Sequence, residues 1–60
     1  MEDERYKMFL KKTKWGISWG WIEGLDEETA KELHEELERR GKETRGIYKD
    51  KDGTYAIRWR

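Results

Sequence analysis

Few side chains in this sequence could do chemistry, and their spacing argues against it. His34 is the one group whose ordinary titration lies near neutral pH. A catalytic histidine needs a nucleophile or an orienting carboxylate. Only Glu38, four residues on, is placed by local spacing to meet it on a helix. That pair reads as a helix-surface contact. No cysteine excludes disulfides and thiolate metal sites, and His34 alone cannot build a zinc site. Glu27/Glu28 and Glu35/Glu36 are adjacent carboxylates, but neighbours on a helix diverge by about 100°. General acid–base work needs such groups shifted inside a cleft, so these read as solvated. Asp50-Lys51-Asp52-Gly53 starts like a calcium loop, but the acid required at the twelfth position falls past residue 60. No phosphate-binding Gly-Lys-Ser/Thr occurs. Gly16, Gly20 and Gly24 have the spacing of a membrane-helix dimer motif, but between Trp, Ser and Glu that motif has no meaning. The expectation is a non-enzyme with no cofactor and no metal.

What remains is binding chemistry. Basic and aromatic residues interleave at Lys7, Phe9, Lys11, Lys14 and Trp19, and again at Arg45, Tyr48, Arg58, Trp59 and Arg60. Such a mixture suits a surface on which unpaired bases stack or a strand face that enters a groove. The formal net charge is zero, well short of a dedicated nucleic-acid binder, and the core needs the same aromatics. Nucleic acid therefore ranks behind other readings at this level. The charge is segregated, however. Residues 23–40 carry eight acidic and three basic side chains, and the flanks carry eleven basic and six acidic. A basic sheet beside an acidic helix could steer a polyanion, although Glu on exposed helices and Lys/Arg on exposed strands give the same pattern.

The elements that would position these groups follow from the length. Sixty residues make one domain, 1–60, and a chain of this size buries only about 60% of its unfolded surface. Without disulfides or metal, packing must hold it. Four Trp, three Tyr and one Phe, each burying on the order of 150–250 Å², are the available material. No apolar run reaches the ~18 residues of a membrane span. Met-Glu-Asp-Glu-Arg lacks the regions of a secretory signal. A soluble domain with no targeting signal is expected, its localisation unassigned.

The helix is predicted within 26–40. Asp26 is its N-cap, Glu27 and Glu28 meet the positive end of its dipole, Arg39 and Arg40 meet the negative end, and Gly41 is the stop. Its apolar stripe is Ala30, Leu33 and Leu37, with Leu25 before the cap and His34 at the edge. A hairpin is predicted over 44–59, its turn Lys49–Thr54 closed by Gly53 in a G1 bulge. If Asp50 pairs with Thr54, Ile47 opposes Ile57, Arg45 opposes Trp59, and Ile47, Tyr55, Ile57 and Trp59 share one face. A first hairpin is predicted over 5–23, with strands at about 5–12 and 17–23 and a turn Thr13–Gly16 of the same kind. Its two faces, Phe9/Ile17/Trp19/Trp21 and Tyr6/Met8/Leu10/Ile22, are then both apolar, and one helix cannot cover both. Gly20, between two Trp, reads as a kink that curls the sheet. The alternative is that Tyr6, Met8, Leu10 and Ile22 meet a protein target or a second copy of the chain in a homodimer.

The expected fold is therefore α+β, ββαββ. One strongly curved antiparallel or mixed four-stranded sheet, barrel-like if it closes in part, packs on a single helix. The expected core is Phe9, Ile17, Trp19, Trp21, Leu25, Ala30, Leu33, Leu37, Ile47, Ile57 and Trp59. The helix from Leu25-Asp26-Glu27-Glu28 to Arg39-Arg40-Gly41 and the turn Lys-Asp-Lys-Asp-Gly-Thr resemble those of computationally designed miniproteins. So do the missing Cys and Pro and the Glu/Lys/Arg surface. The resemblance implies a de novo scaffold with no natural activity and no required partner. Trp15-Gly16-Ile17-Ser18-Trp19-Gly20-Trp21 is richer in Trp than such sheets need. The stretch from Arg45-Gly46-Ile47-Tyr48-Lys49 to Ile57-Arg58-Trp59 is similar to the first hairpin of arm-type DNA-binding domains of phage integrases. There the strands precede the helix, so neither topology nor contacts carry over.

Overall fold

A computed structural model describes residues 3–60. The chain runs α1 (Asp3–Lys12), β1 (Lys14–Trp15), β2 (Gly20–Leu25), α2 (Glu27–Arg39), β3 (Thr44–Lys49) and β4 (Tyr55–Trp59). The four strands form one antiparallel sheet in the order β1-β2-β4-β3. The α+β class is as expected. The order of elements is not, because the segment expected as the first strand is a helix.

The reason lies in its periodicity. Tyr6, Phe9, Leu10 and Thr13 recur at helical spacing, and all four turn inward: Tyr6, Phe9 and Thr13 are buried and Leu10 packs against the core. Asp3 and Glu4 occupy the first turn and Lys11 and Lys12 the last, each favourable to the helix dipole. Thr13 ends the helix by donating its hydroxyl to the Phe9 carbonyl at 2.6 Å. Read with period two, the same residues fall on both faces of a strand. The expected first strand, 5–12, is thus a helix, and Tyr6 and Ile22 are core residues, not a docking face.

The second helix keeps its expected signals. The Asp26 carboxylate accepts from the Thr29 backbone N–H at 2.8 Å. At the other end Lys42 N–H donates to the Leu37 carbonyl and Gly41 N–H to that of Glu38, with Gly41 at φ +78°. This is a Schellman stop. Ala30, Leu33 and Leu37 are fully buried. Glu36 is buried as well, held by Arg39 at 2.6 Å and Arg40 at 2.8 Å. Arg40 also reaches Asp3 and lies 3.8 Å above the Tyr6 ring, while Arg5 pairs with Glu32. These contacts fasten α1 to α2.

Both helices contribute to one core with β2 and β4: Tyr6, Phe9, Ile22, Leu25, Ala30, Leu33, Leu37, Ile57 and Trp59. The second hairpin turns as expected, with Asp50 N–H donating to Thr54 and Gly53, at φ +87°, donating to Asp50. Ile47 opposes Ile57, but Thr44 and not Arg45 opposes Trp59. An extra residue at Arg45–Gly46 makes a bulge, and a second bulge lies at Glu23–Gly24 in β2. Gly46 and Gly24 hold φ +91° and +75°, which only glycine adopts cheaply. The sheet is open, with β1 and β3 as its edges; it does not close into a barrel.

The first hairpin's turn lies three residues beyond the expected one. Gly16 N–H donates to the Trp19 carbonyl at 2.9 Å, so Ile17 and Ser18 form the tip. Gly16 is not left-handed and closes no G1 bulge. Ile17 is fully exposed, and Ile47, on the edge strand, is exposed too. Trp19 and Trp21 are half-buried outside the core.

Gly20 is tight for a different reason from a kink. A Cβ there would lie 2.6 Å from the Thr13 methyl carbon and 2.9 Å from the Trp15 ring. Gly20→Val should therefore destabilise the fold by about 1–3 kcal/mol, the usual cost of overpacking, read from thermal or urea melts. A second expectation concerns acid. The Asp26 carboxyl is held below its usual value by the Thr29 hydroxyl and N–H, and that of Asp52 by the Thr54 hydroxyl and N–H. A depressed folded pKa stabilises above the unfolded value, near 3.8, and the gain is lost as pH falls through the folded values. The melting temperature should fall below about pH 4, and D26N/D52N should show a shallower fall.

Candidate functional site

Register across the sheet sorts the strand side chains onto two faces. One row, Trp15–Gly20–Trp59–Thr44, faces the helices. Trp15 crosses the space left by Gly20 and meets Trp59 edge-on, ring centroids 5.0 Å apart. An aromatic laid over a strand glycine restores the contacts its missing side chain cannot make. Trp15 is thus structural although 57% exposed. The buried Trp59 indole N–H has no hydrogen-bond partner among the described residues. On the same side Thr44 lies 3.0 Å from His34 Nε2, and Glu38 lies 2.8 Å from Nδ1. Both ring nitrogens are engaged, Nε2 by the Thr44 hydroxyl on the strand and Nδ1 by the Glu38 carboxylate on the helix surface.

The opposite face carries no helix. The row Lys14–Trp21–Arg58 lies there, with Tyr48 beside Ala56. Trp21 and Tyr48 pack ring to ring at 5.9 Å and flank Ala56, which is buried. Arg58 sits over Trp21 at 5.4 Å, and Arg45 and Arg60 sit over Trp19 at 4.7 and 4.4 Å. The Arg45 bulge opposite Arg58 helps bring its guanidinium to Trp19.

Two carboxylates share this face. Glu43 binds Arg60 Nε at 2.7 Å. Glu23 accepts from the Trp21 indole N–H at 3.0 Å and meets Lys14 at 3.5 Å. The indole bond, and then Lys14, hold the Glu23 carboxyl below its usual range. Arg5, Arg39, Arg40 and Arg60 each pair with a carboxylate. Among the described residues Arg45 and Arg58 have none, and their neighbours are indoles.

The face therefore unites Lys14, Trp19, Arg45, Tyr48, Arg58 and Arg60 of the basic–aromatic set read from the sequence. It adds Trp21, which sequence reasoning assigned to the core. Phe9 and Trp59 are core residues, and Lys7 and Lys11 lie exposed on α1. The four residues expected as a partner face do not come together as one. Tyr6 and Ile22 are buried, Leu10 is half-buried, and Met8 is exposed beside a hollow of about 380 Å³ between α1 and the start of α2. Gly16, Gly20, Asp26, Gly41 and Gly53 serve the turns, caps and close approach described above.

Among the described residues no group of three or more His, Cys, Asp or Glu could hold a metal ion. No helix among them is long and apolar enough to cross a membrane. Compared with known proteins, the chain matches no family model, no curated protein and no solved structure.

The role of Trp15 is testable apart from any ligand. Trp15→Ala uncovers Gly20 and the Trp59 edge and should cost about 1–2 kcal/mol of stability. Ile17→Ala, at the exposed tip, should be neutral in the same chemical melts.

Proposed function

We propose that this domain is a non-catalytic binding module that engages the phosphate backbone of nucleic acid with the helix-free face of its sheet. One observation carries this reading. Arg45 and Arg58 stand on that face without carboxylate partners among the described residues, each laid against an indole. A ring beneath a guanidinium holds it flat and leaves its N–H edge directed outward. Less side-chain freedom is then lost on binding. A planar guanidinium edge matches phosphate oxygens in a bidentate geometry. Lys14 and Arg60 extend the cationic surface, while the acidic side chains of residues 23–40 lie mainly on α2, behind the sheet.

The zero net charge that ranked nucleic acid low is an average over two faces. Binding responds to the local field and not to the average. Two carboxylates on the face, Glu23 and Glu43, repel phosphate and limit the affinity.

Titrating a dye-labelled mixed-sequence oligonucleotide with the protein at low salt, followed by the anisotropy of the label, tests the reading. Four contacting cations give a slope of log K against log salt of about −3 to −4. R45A/R58A should weaken binding about tenfold or more while leaving the melting curve near that of the parent. The capped helix and regular turn also fit a designed scaffold without a ligand. That alternative leaves the anisotropy unchanged at every protein concentration and excludes the nucleic-acid reading.

A further inference from the structure

The same face holds a groove at its β1–β2 end, about 580 Å³ in volume, bordered by Lys14, Ile17, Ser18, Trp19, Trp21 and Arg58. Hollows that receive small ligands span about 300–1,000 Å³, so a single nucleotide is within its capacity. The groove is open, and its apolar walls come from indoles and the exposed Ile17. Its cations, Lys14 and Arg58, stand in one row across the strands on either side of Trp21.

Resting on the reading above, we infer that this groove takes one unstacked nucleobase, and that the ligand is therefore single-stranded. Three features point there. First, Trp19 and Trp21 are two positions apart on the chain. Both border the groove, and both are only partly buried, so each has ring surface left for a flat base. Second, a base inside a duplex hides its faces against its neighbours. Only a base free of its stack presents the π-face an indole can meet. Third, Lys14 and Arg58 border the groove, where the phosphates flanking an inserted base would lie. Ile17 projects at the turn tip, where its side chain can cover a base edge that the two indoles leave open.

The geometry sets the role of each residue without any bond being made or broken. Trp19 and Trp21 supply the stacking surface, Ile17 supplies apolar cover, and Lys14 and Arg58 hold phosphate. The Trp21 indole N–H stays bonded to Glu23, which fixes the orientation of that ring before the base arrives.

Three probes of matched length decide the matter: a single-stranded oligonucleotide, the duplex of the same sequence, and a single strand with the bases removed. The first should bind about fivefold or more tightly than the other two, since stacking of one base on an aromatic contributes about fivefold to more than a hundredfold. It should also quench tryptophan emission, and the abasic strand should not. Trp19→Leu should remove the advantage of the intact strand, with circular dichroism confirming the fold. If all three probes bind equally, the base-binding inference is overturned and phosphate binding survives. If none binds at low salt, both readings fail together.

Discussion

The missing side chain of Gly20 is the constraint on which the rest of this structure depends. A chain of sixty residues without disulfides must close its core at every end. At the β1 end there are only two strand residues to do it. Because Gly20 has no Cβ, Thr13 and Trp15 can both occupy the space beside it. Thr13 anchors the last turn of α1, and Trp15 carries the aromatic surface across to Trp59. One glycine therefore joins the first helix, the short edge strand and the central strand β4. A side chain at that position would push apart all three.

The same row decides which aromatics are left over. Alternation along β2 places Gly20 and Ile22 toward the helices, so Trp21, between them, must face away. Trp19, before Gly20, meets Arg45 and Arg60 from the outer side. Residues that might have enlarged a small core are thus assigned to the surface by parity. Their rings are only partly exposed because Trp21 packs against Tyr48 and Arg58, and Trp19 against Arg45 and Arg60. The open sheet face and the filled core are two consequences of one register.

That register also explains what the sequence made legible. The helix over 27–39 and the turn around Gly53 were plain, because caps and turns are local chemistry written in a few neighbouring residues. Seven of the expected core residues are buried, Phe9 through Trp59, since large apolar side chains in regular elements have few alternatives. Residues 5–12 read as a strand although they are helical, because apolar positions at 6, 8, 9 and 10 satisfy both periods. The deciding signals were present: acidic residues at Asp3 and Glu4, basic ones at Lys11 and Lys12, and Thr13 completing the stripe. The bulges at Gly24 and Gly46 were not visible, since an extra residue in a strand is defined by its partner strand. The candidate site suffered for the same reason. Its basic and aromatic members could be named, but Trp21 could be placed on it only once β2 was aligned with β4.

Electrostatics gives the outer face its character. The arginines of α1 and α2 are held by carboxylates, as Glu36 with Arg39 and Arg40 and Glu32 with Arg5 illustrate. Such pairs fix the helices and neutralise those guanidiniums. On the sheet face the ratio changes: Glu43 is committed to Arg60, and Glu23 to Trp21 and Lys14. Arg45 and Arg58 have rings for neighbours where the helical arginines have carboxylates. A ring steadies a guanidinium through the quadrupole of its face without neutralising it. Charge that is positioned but not cancelled is what a polyanion can use. A carboxylate in either ring's place would pair with the guanidinium beside it and cancel the charge that the ring leaves intact.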